Sequence, residues 1–92
     1  MELAQLKGSE KQIAWAEKIR NTILAQIDGY DTTSSLKLLH FCNIPEYRQD
    51  PGLAWAQFIT DISNETKAAF WINNRNGLKT VFNEWLIIKN AI

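Results

Sequence analysis

Cysteine and histidine each occur once in this sequence of 92 residues, as Cys42 and His40. A single cysteine cannot form an internal disulfide, which excludes a disulfide-stabilised secreted scaffold and fits a reducing cytoplasm. These two residues are two positions apart, so on a helix their side chains point away from each other and no Cys–His nucleophile is expected. With no cluster of carboxylates beside them, they also make no ligand set for a metal.

An excess of charge of either sign is also missing, because ten Lys and Arg balance ten Asp and Glu. Proteins that bind polyanions are normally basic, so neutrality argues against a general nucleic-acid binder, and it also weakens the repulsion that opposes self-association. No stretch approaches the ~20 apolar residues that a membrane span requires, and the start of the chain has no signal-peptide core. We therefore expect a soluble cytoplasmic protein with no membrane partner.

Catalytic patterns are absent too. The sequence contains no glycine-rich phosphate loop, and its Asp and Glu residues are scattered singly, so no carboxyl pair is placed to share a proton. The expectation is a protein that is not an enzyme and that uses no cofactor and no metal.

Apolar residues, in contrast, are plentiful. They make up 46% of the chain and include four Trp, four Phe and two Tyr, which is enough to build a core rich in aromatic side chains. No alternating strand pattern occurs, whereas helical periodicity recurs along the chain. The sequence predicts an all-α fold, a compact bundle of four to five helices with short loops. Residues 1–92 form one domain, of which 1–7 are a short N-terminal tail.

The first helix is predicted from about Glu10 to Ile27. Ser9 and Gln12 form a capping box, in which each side chain accepts a hydrogen bond from the other residue's backbone amide. A short helix of about two turns is predicted over 35–42. The irregular stretch 43–50 is predicted to be a loop, because Pro45 disfavours a helical Ile44, and this loop is the one place expected to have room for a small ligand.

Asp50 followed by Pro51 predicts the start of another helix, and Ser63-Asn64 predicts its end and a cap for the next one. Residues 68–72 are apolar nearly all round, as in an enclosed helix. A last amphipathic helix is predicted from Leu78 towards Ile92. Gly77 separates these two helices, the alternative being one long helix kinked at this glycine.

Two groups of residues are candidates for binding a partner. On the first helix, Trp15 lies near Lys11 on the outer face and near Arg20 at the apolar edge, where an arginine packs its stem and presents its charged head. The second group is Trp71, Asn74 and Arg75. Asn74 and Arg75 either cap a helix end or form, with a nearby Trp, a recognition surface, since Trp and Arg are enriched among binding hot spots.

The segments "GSEKQIAWAEKIR" (8–20) and "AAFWINNR" (68–75) resemble a family of small, uncharacterised helical proteins and domains from bacteria, phages and mobile elements. The resemblance is carried by a Gly-Ser-x-Lys-Gln-x-x-Trp-Ala-x-x-Ile-Arg start and a Trp-Ile-Asn/Asp-x-Arg segment, which has Asn73 where Asp is commoner. It implies a helical accessory module and brings no activity with it.

The leading hypothesis is a non-enzymatic protein-interaction module, for instance a phage or mobile-element regulator or inhibitor of a host machine. Its partner is another protein, with self-association through the last helix as a companion interaction. The alternative is a small nucleic-acid-binding module in which the basic edge of the first helix (Lys7, Lys11, Lys18, Arg20) contacts phosphates and Trp15 stacks on a base. An enzyme, or a small-ligand protein that uses the 43–50 loop with Tyr47 and Arg48, ranks third.

Overall fold

The structure is a computed structural model that describes residues 3–29 and 42–89. Over these ranges the chain forms five helices and no strand, so the prediction of an all-α bundle is confirmed. The helices are α1 (Glu10–Gly29), α2 (Pro45–Gln49), α3 (Pro51–Ser63), α4 (Ala68–Asn73) and α5 (Leu78–Ile88). A helix was predicted over 35–42. Only Cys42 of this stretch is among the described residues, so the predicted helix and its His40 lie outside them.

The capping box at the start of α1 is confirmed. The backbone amide of Ser9 donates to Oε1 of Gln12 over 3.0 Å, and the amide of Gln12 donates to Oγ of Ser9 over 3.2 Å. Two amides that the helix cannot satisfy itself are therefore bonded. The helix continues to Gly29, two residues beyond the predicted end.

The loop predicted over 43–50 is wrong in its central part, because Pro45–Gln49 form the short helix α2. Ile44 is extended, as expected for a residue before proline, and Pro45 occupies the first helical position. The ring of Tyr47 stacks on Trp85, with 5.6 Å between ring centroids. This packing against α5 is a tertiary contact, which explains why local sequence patterns did not predict the helix.

Helix α3 begins and ends where predicted, and Oδ1 of its cap residue Asp50 accepts from the Leu53 amide over 3.2 Å. The prediction that Ser63-Asn64 caps the next helix is wrong. Helix α4 begins at Ala68, its cap position is Lys67, and no side chain caps it. The Ala68 amide donates instead to the backbone carbonyl of Lys7 over 3.1 Å.

That carbonyl belongs to residues 3–8, here called the N-terminal segment, which lies along the connection between α3 and α4. The Ala4 amide donates to the Ser63 carbonyl over 2.8 Å, and the Lys7 amide donates to the Thr66 carbonyl over 2.6 Å. The side chain of Leu6 is buried in the core. The segment turns into α1 at Gly8, whose φ of 155° favours glycine. The short tail is thus fixed to the body of the bundle.

Helices α4 and α5 are separate, and the break lies at Gly77, as the sequence favoured. Gly77 has a φ of 143° and precedes the first residue of α5. The amide of that residue, Leu78, donates to Oε1 of Gln26 over 3.3 Å. A side chain from α1 therefore caps α5.

Aromatic side chains from α3 and α5 form the centre of the core. Phe58 and Phe82 meet edge to face at 4.9 Å between centroids, and Phe82 stacks on Trp85 at 5.8 Å. Each such pair adds about 0.5–1.5 kcal/mol beyond the burial of its surface. Trp55 and Phe70 are only partly buried and pack against this core.

Candidate functional site

Helix α1 presents one tryptophan to the core's edge and to solvent. The buried stripe of the helix consists of Ala16, Arg20 and Ile23, which recur at helical spacing. Trp15 lies one residue to the side of this stripe and keeps 49% of its surface exposed. Because a tryptophan is large and mostly apolar, this exposure leaves a substantial uncovered surface on α1.

Arg75 lies over the ring of Trp15. Its guanidinium carbon is 5.6 Å from the centroid of the indole, which is within the range of a cation–π interaction. Nη1 of Arg75 also donates a 2.8 Å hydrogen bond to the carbonyl of Ile72, near the end of α4. The arginine thus binds a helix terminus and covers an exposed aromatic ring at once, so capping and a surface role are compatible.

Trp15 and Arg75 both line a groove of about 320 Å³. We call it the α1–α5 groove, because one wall is α1 and the other is the turn that leads into α5. It is lined by Trp15, Lys18, Ile19, Thr22, Ile23, Gln26, Arg75, Asn76 and Gly77. Its lining combines an aromatic ring, two isoleucines and two cations, and none of these described lining residues is acidic.

Lys11, Trp15 and Lys18 form a continuous stripe on α1, because they are spaced by four and then three residues. All three side chains are exposed. Among the described residues, the one ion pair joins Lys89 to Asp61, so neither lysine of this stripe is neutralised there. The stripe gives the Trp15 surface a positive charge at both ends.

Three of the candidate residues lie in the interior. Trp71 is fully buried and meets Phe70 edge to face at 5.4 Å, and Asn74 is buried with its Nδ2 donating to the Phe70 carbonyl over 2.7 Å. Arg20, expected to present its head at the rim, is 8% exposed, and its Nη1 donates to the Ala4 carbonyl over 2.7 Å. These contacts give both residues a structural role: Arg20 holds the N-terminal segment, and Asn74 caps the end of α4.

Of the six residues predicted to bind a partner, the structure therefore places three at one surface: Lys11, Trp15 and Arg75. The sequence reasoning included Lys18 only in the nucleic-acid alternative, and it did not propose Gln26, Asn76 or Gly77 as parts of that surface. The position of Lys18, three residues after Trp15, is a local signal for its place in the stripe. Gln26 and Gly77 are 51 residues apart, and no local pattern indicates that they line the same groove.

Outside this surface, few described side chains are of a kind that reacts or binds metals. The Cys42 thiol is buried and lies 3.3 Å from the Ile44 carbonyl, so it packs as a small apolar group with a weak hydrogen bond. Within residues 3–29 and 42–89, no three His, Cys, Asp or Glu side chains are grouped so that they could hold a metal ion. Over the same ranges, no helix has both the length and the hydropathy needed to cross a bilayer.

Comparison of the chain with protein families, with curated proteins and with solved structures shows no significant match.

Proposed function

We propose that this chain is a non-enzymatic protein-interaction module whose contact surface is centred on Trp15 and Arg75. The observation that carries the proposal is the half-exposed indole of Trp15 with a guanidinium held over it. Trp and Arg are the residue types that most often dominate binding energy at protein interfaces. Covering the exposed half of this indole would contribute roughly 2 kcal/mol to an association, from the area of a tryptophan and the usual transfer coefficient.

The proposed setting is a bacterial cytoplasm, with the chain acting as a phage or mobile-element regulator or inhibitor of a larger host machine. Support for this setting comes from the resemblance of residues 8–20 and 68–75 to small helical proteins of such elements. The single cysteine suits a reducing compartment.

Leu53 offers a matched control for the test, because it is also 49% exposed but lies on α3. The 92-residue chain is used as bait in the native host, with Trp15→Ala and Leu53→Ala variants beside it. We expect the Trp15 variant to lose a partner that the Leu53 variant retains, while both keep the circular dichroism spectrum of the parent.

A photo-crosslinking amino acid at position 22 or at position 53 localises the contact directly. Thr22 lines the α1–α5 groove and leaves Trp15 intact. The partner should be crosslinked from position 22 and not from position 53. Equal capture by both variants, together with equal crosslinking from both positions, would refute the proposed surface.

Nucleic-acid binding is the second candidate, and the exposed stripe of Lys11, Trp15 and Lys18 favours it. In this hypothesis the lysines contact phosphates and the indole stacks on a base. Binding of single- and double-stranded DNA is measured at two salt concentrations, and genuine phosphate contacts must weaken steeply as salt increases. Absence of binding at low salt removes this candidate.

Self-association through α5 accompanies the leading proposal. Ile87 and Ile88 are adjacent in α5 and are 49% and 58% exposed, and the chain has no net charge to oppose association. A second copy of the chain would cover these isoleucines. Sedimentation at several concentrations should show a species larger than the monomer, which Ile88→Glu abolishes, and a monomer at every concentration rejects the proposal.

A further inference from the structure

We infer that the α1–α5 groove takes an acidic segment of the partner protein, in which a carboxylate side chain lies beside an apolar one; this inference rests on the proposed function. Lys18 and Arg75 are both in the lining of the groove, and no described residue of that lining carries a negative charge. Neither cation has an ion-pair partner among the described residues, where the ion pair present is Lys89 with Asp61. An occupant of opposite charge would therefore meet two cations that no described carboxylate pairs with.

The floor of the groove accounts for the apolar part of the occupant. Ile19 and Ile23 line it together with Trp15, which is half exposed. At about 320 Å³, the volume is at the lower limit of the usual range for binding pockets. A groove of this size accommodates a few side chains of an extended segment and leaves the rest of the partner outside.

The start of α5 adds a further positive element to the groove. Gly77 lies in the lining and precedes α5, a helix of 11 residues, so the positive end of the helix dipole is at this place. A Cβ added to Gly77 would meet no atom within 4 Å, so there is open space beside this glycine. The Leu78 amide is already bonded to Gln26, so the helix terminus supplements Lys18 and Arg75 and does not replace them.

The guanidinium of Arg75 is pre-positioned for a carboxylate. Its hydrogen bond to the Ile72 carbonyl uses Nη1, and its contact with Trp15 restricts the orientation of the group. A guanidinium has five N–H donors, so several remain for bidentate bonding to a carboxylate. Holding the side chain in advance reduces the entropy that is lost when the partner binds.

The test is selection of a random dodecapeptide library on the immobilised 92-residue chain. We expect enrichment of peptides that place Asp or Glu next to an apolar residue. The selected peptides are then titrated against Lys18→Glu/Arg75→Glu and against Arg48→Glu/Lys67→Glu. Arg48 and Lys67 are exposed cations outside the groove, so the two double variants change the net charge equally.

The groove variant should weaken peptide binding by about tenfold or more, and the control variant should leave it nearly unchanged. Thermal unfolding checks that both fold, and Lys18→Glu alone replaces the double variant if the latter does not. Selection of peptides without acidic residues, or equal weakening by both variants, overturns the inference. So does tight binding of a fluorescein-labelled oligothymidylate with the same dependence on Lys18 and Arg75, since the occupant is then a nucleic acid.

These outcomes are separable from failure of the proposed function. A partner crosslinked from position 22 together with a library that yields no acidic peptides refutes the acidic occupant and leaves the interaction surface in place. Equal capture by the Trp15 and Leu53 variants, together with equal crosslinking from positions 22 and 53, refutes the surface whatever the library shows.

Discussion

The indole Nε1 of Trp85 donates a 2.8 Å hydrogen bond to Oδ2 of Asp61, and this bond joins α5 to α3. The same carboxylate accepts from Gln57 over 2.9 Å and forms an ion pair with Lys89 at 3.0 Å. A single side chain therefore satisfies the polar edge of the buried Trp85 ring. Removing it leaves a largely buried N–H without a partner, which costs more than the bond itself contributes.

Asp61→Ala should lower the free energy of unfolding by about 1–3 kcal/mol, the usual cost of leaving a buried donor unsatisfied. Urea denaturation at neutral pH measures the change. Gln57→Ala is the control, because it removes a bond to the same carboxylate at an exposed position and should cost under about 0.5 kcal/mol. A loss no larger for Asp61→Ala than for Gln57→Ala would contradict this role.

Acid should weaken the fold through the same carboxyl group. Burial alone would raise the pKa of Asp61, but hydrogen bonds from Trp85, Lys89 and Gln57, with the charge of Lys89, outweigh it, and the pKa lies below 3.8. A carboxyl whose pKa is lower in the folded state than in the unfolded state stabilises the fold at pH values above its unfolded-state pKa. This contribution is lost as the pH falls through the folded-state pKa. Wild type and Asp61→Asn should therefore converge in stability as the pH decreases below 3.8. Urea titrations of both proteins down this range test it, and a constant difference is the opposing result.

Trp15 and Trp71 should differ sharply in what their removal costs. Trp71 is fully buried, so Trp71→Ala leaves a large cavity and should lower the free energy of unfolding by about 3–5 kcal/mol. Trp15 is half exposed, and Trp15→Ala should cost under about half as much. Thermal and urea unfolding compare the two variants. Equal losses would show that Trp15 contributes to the core as Trp71 does.

Gly8→Ala should destabilise the fold by about 1–3 kcal/mol, the cost of a strained backbone position. An alanine there must adopt a φ of 155°, and its Cβ would lie 2.9 Å from Oε1 of Gln12, the group that closes the capping box. Gly77→Ala is the comparison. Its φ of 143° is also unfavourable for alanine, but the added Cβ would have no atom within 4 Å. We expect the larger loss at Gly8, measured by urea denaturation; a larger loss at Gly77 would show that the contact with Gln12 is unimportant.

Arg20→Met should loosen the N-terminal segment. Methionine keeps much of the apolar stem and removes the donor that bonds to the Ala4 carbonyl. The Lys7 amide, which is bonded to Thr66, should then exchange its hydrogen faster than in wild type, while the amides in the middle of α3 change little. Hydrogen exchange followed by NMR gives both rates. Unchanged protection at Lys7 would mean that the segment is held without Arg20.

The features that were predicted correctly from the sequence depend on neighbouring residues. The Ser9–Gln12 capping box, the start of α3 at Asp50-Pro51 and the break at Gly77 each need a few consecutive positions. Helix α2 was missed because Tyr47 is held by Trp85, which is distant in the sequence. The cap of α4 was missed because its acceptor is the Lys7 carbonyl.

At the candidate surface, too, features that depend on neighbouring residues were predicted and those that depend on distant contacts were missed. Periodicity placed Lys11 and Trp15 on α1, but it did not indicate that Trp15 faces outward or that Arg75 covers it. Arg20 was expected at the rim, and its actual partner is a backbone carbonyl 16 residues earlier in the chain. Facts of this kind depend on which segments meet in three dimensions, and local patterns carry no information about that.

The bonds from Lys7 to Thr66 and Ala68 also constrain the order of events during synthesis. While the ribosome makes the chain, α1 can form as soon as it emerges, and Arg20 can then reach the Ala4 carbonyl. The other partners of residues 3–8, at positions 63, 66 and 68, become available only after they have left the exit tunnel. Complete docking of residues 3–8 is therefore a late step of cotranslational folding, and Leu6 cannot be buried in the core before then.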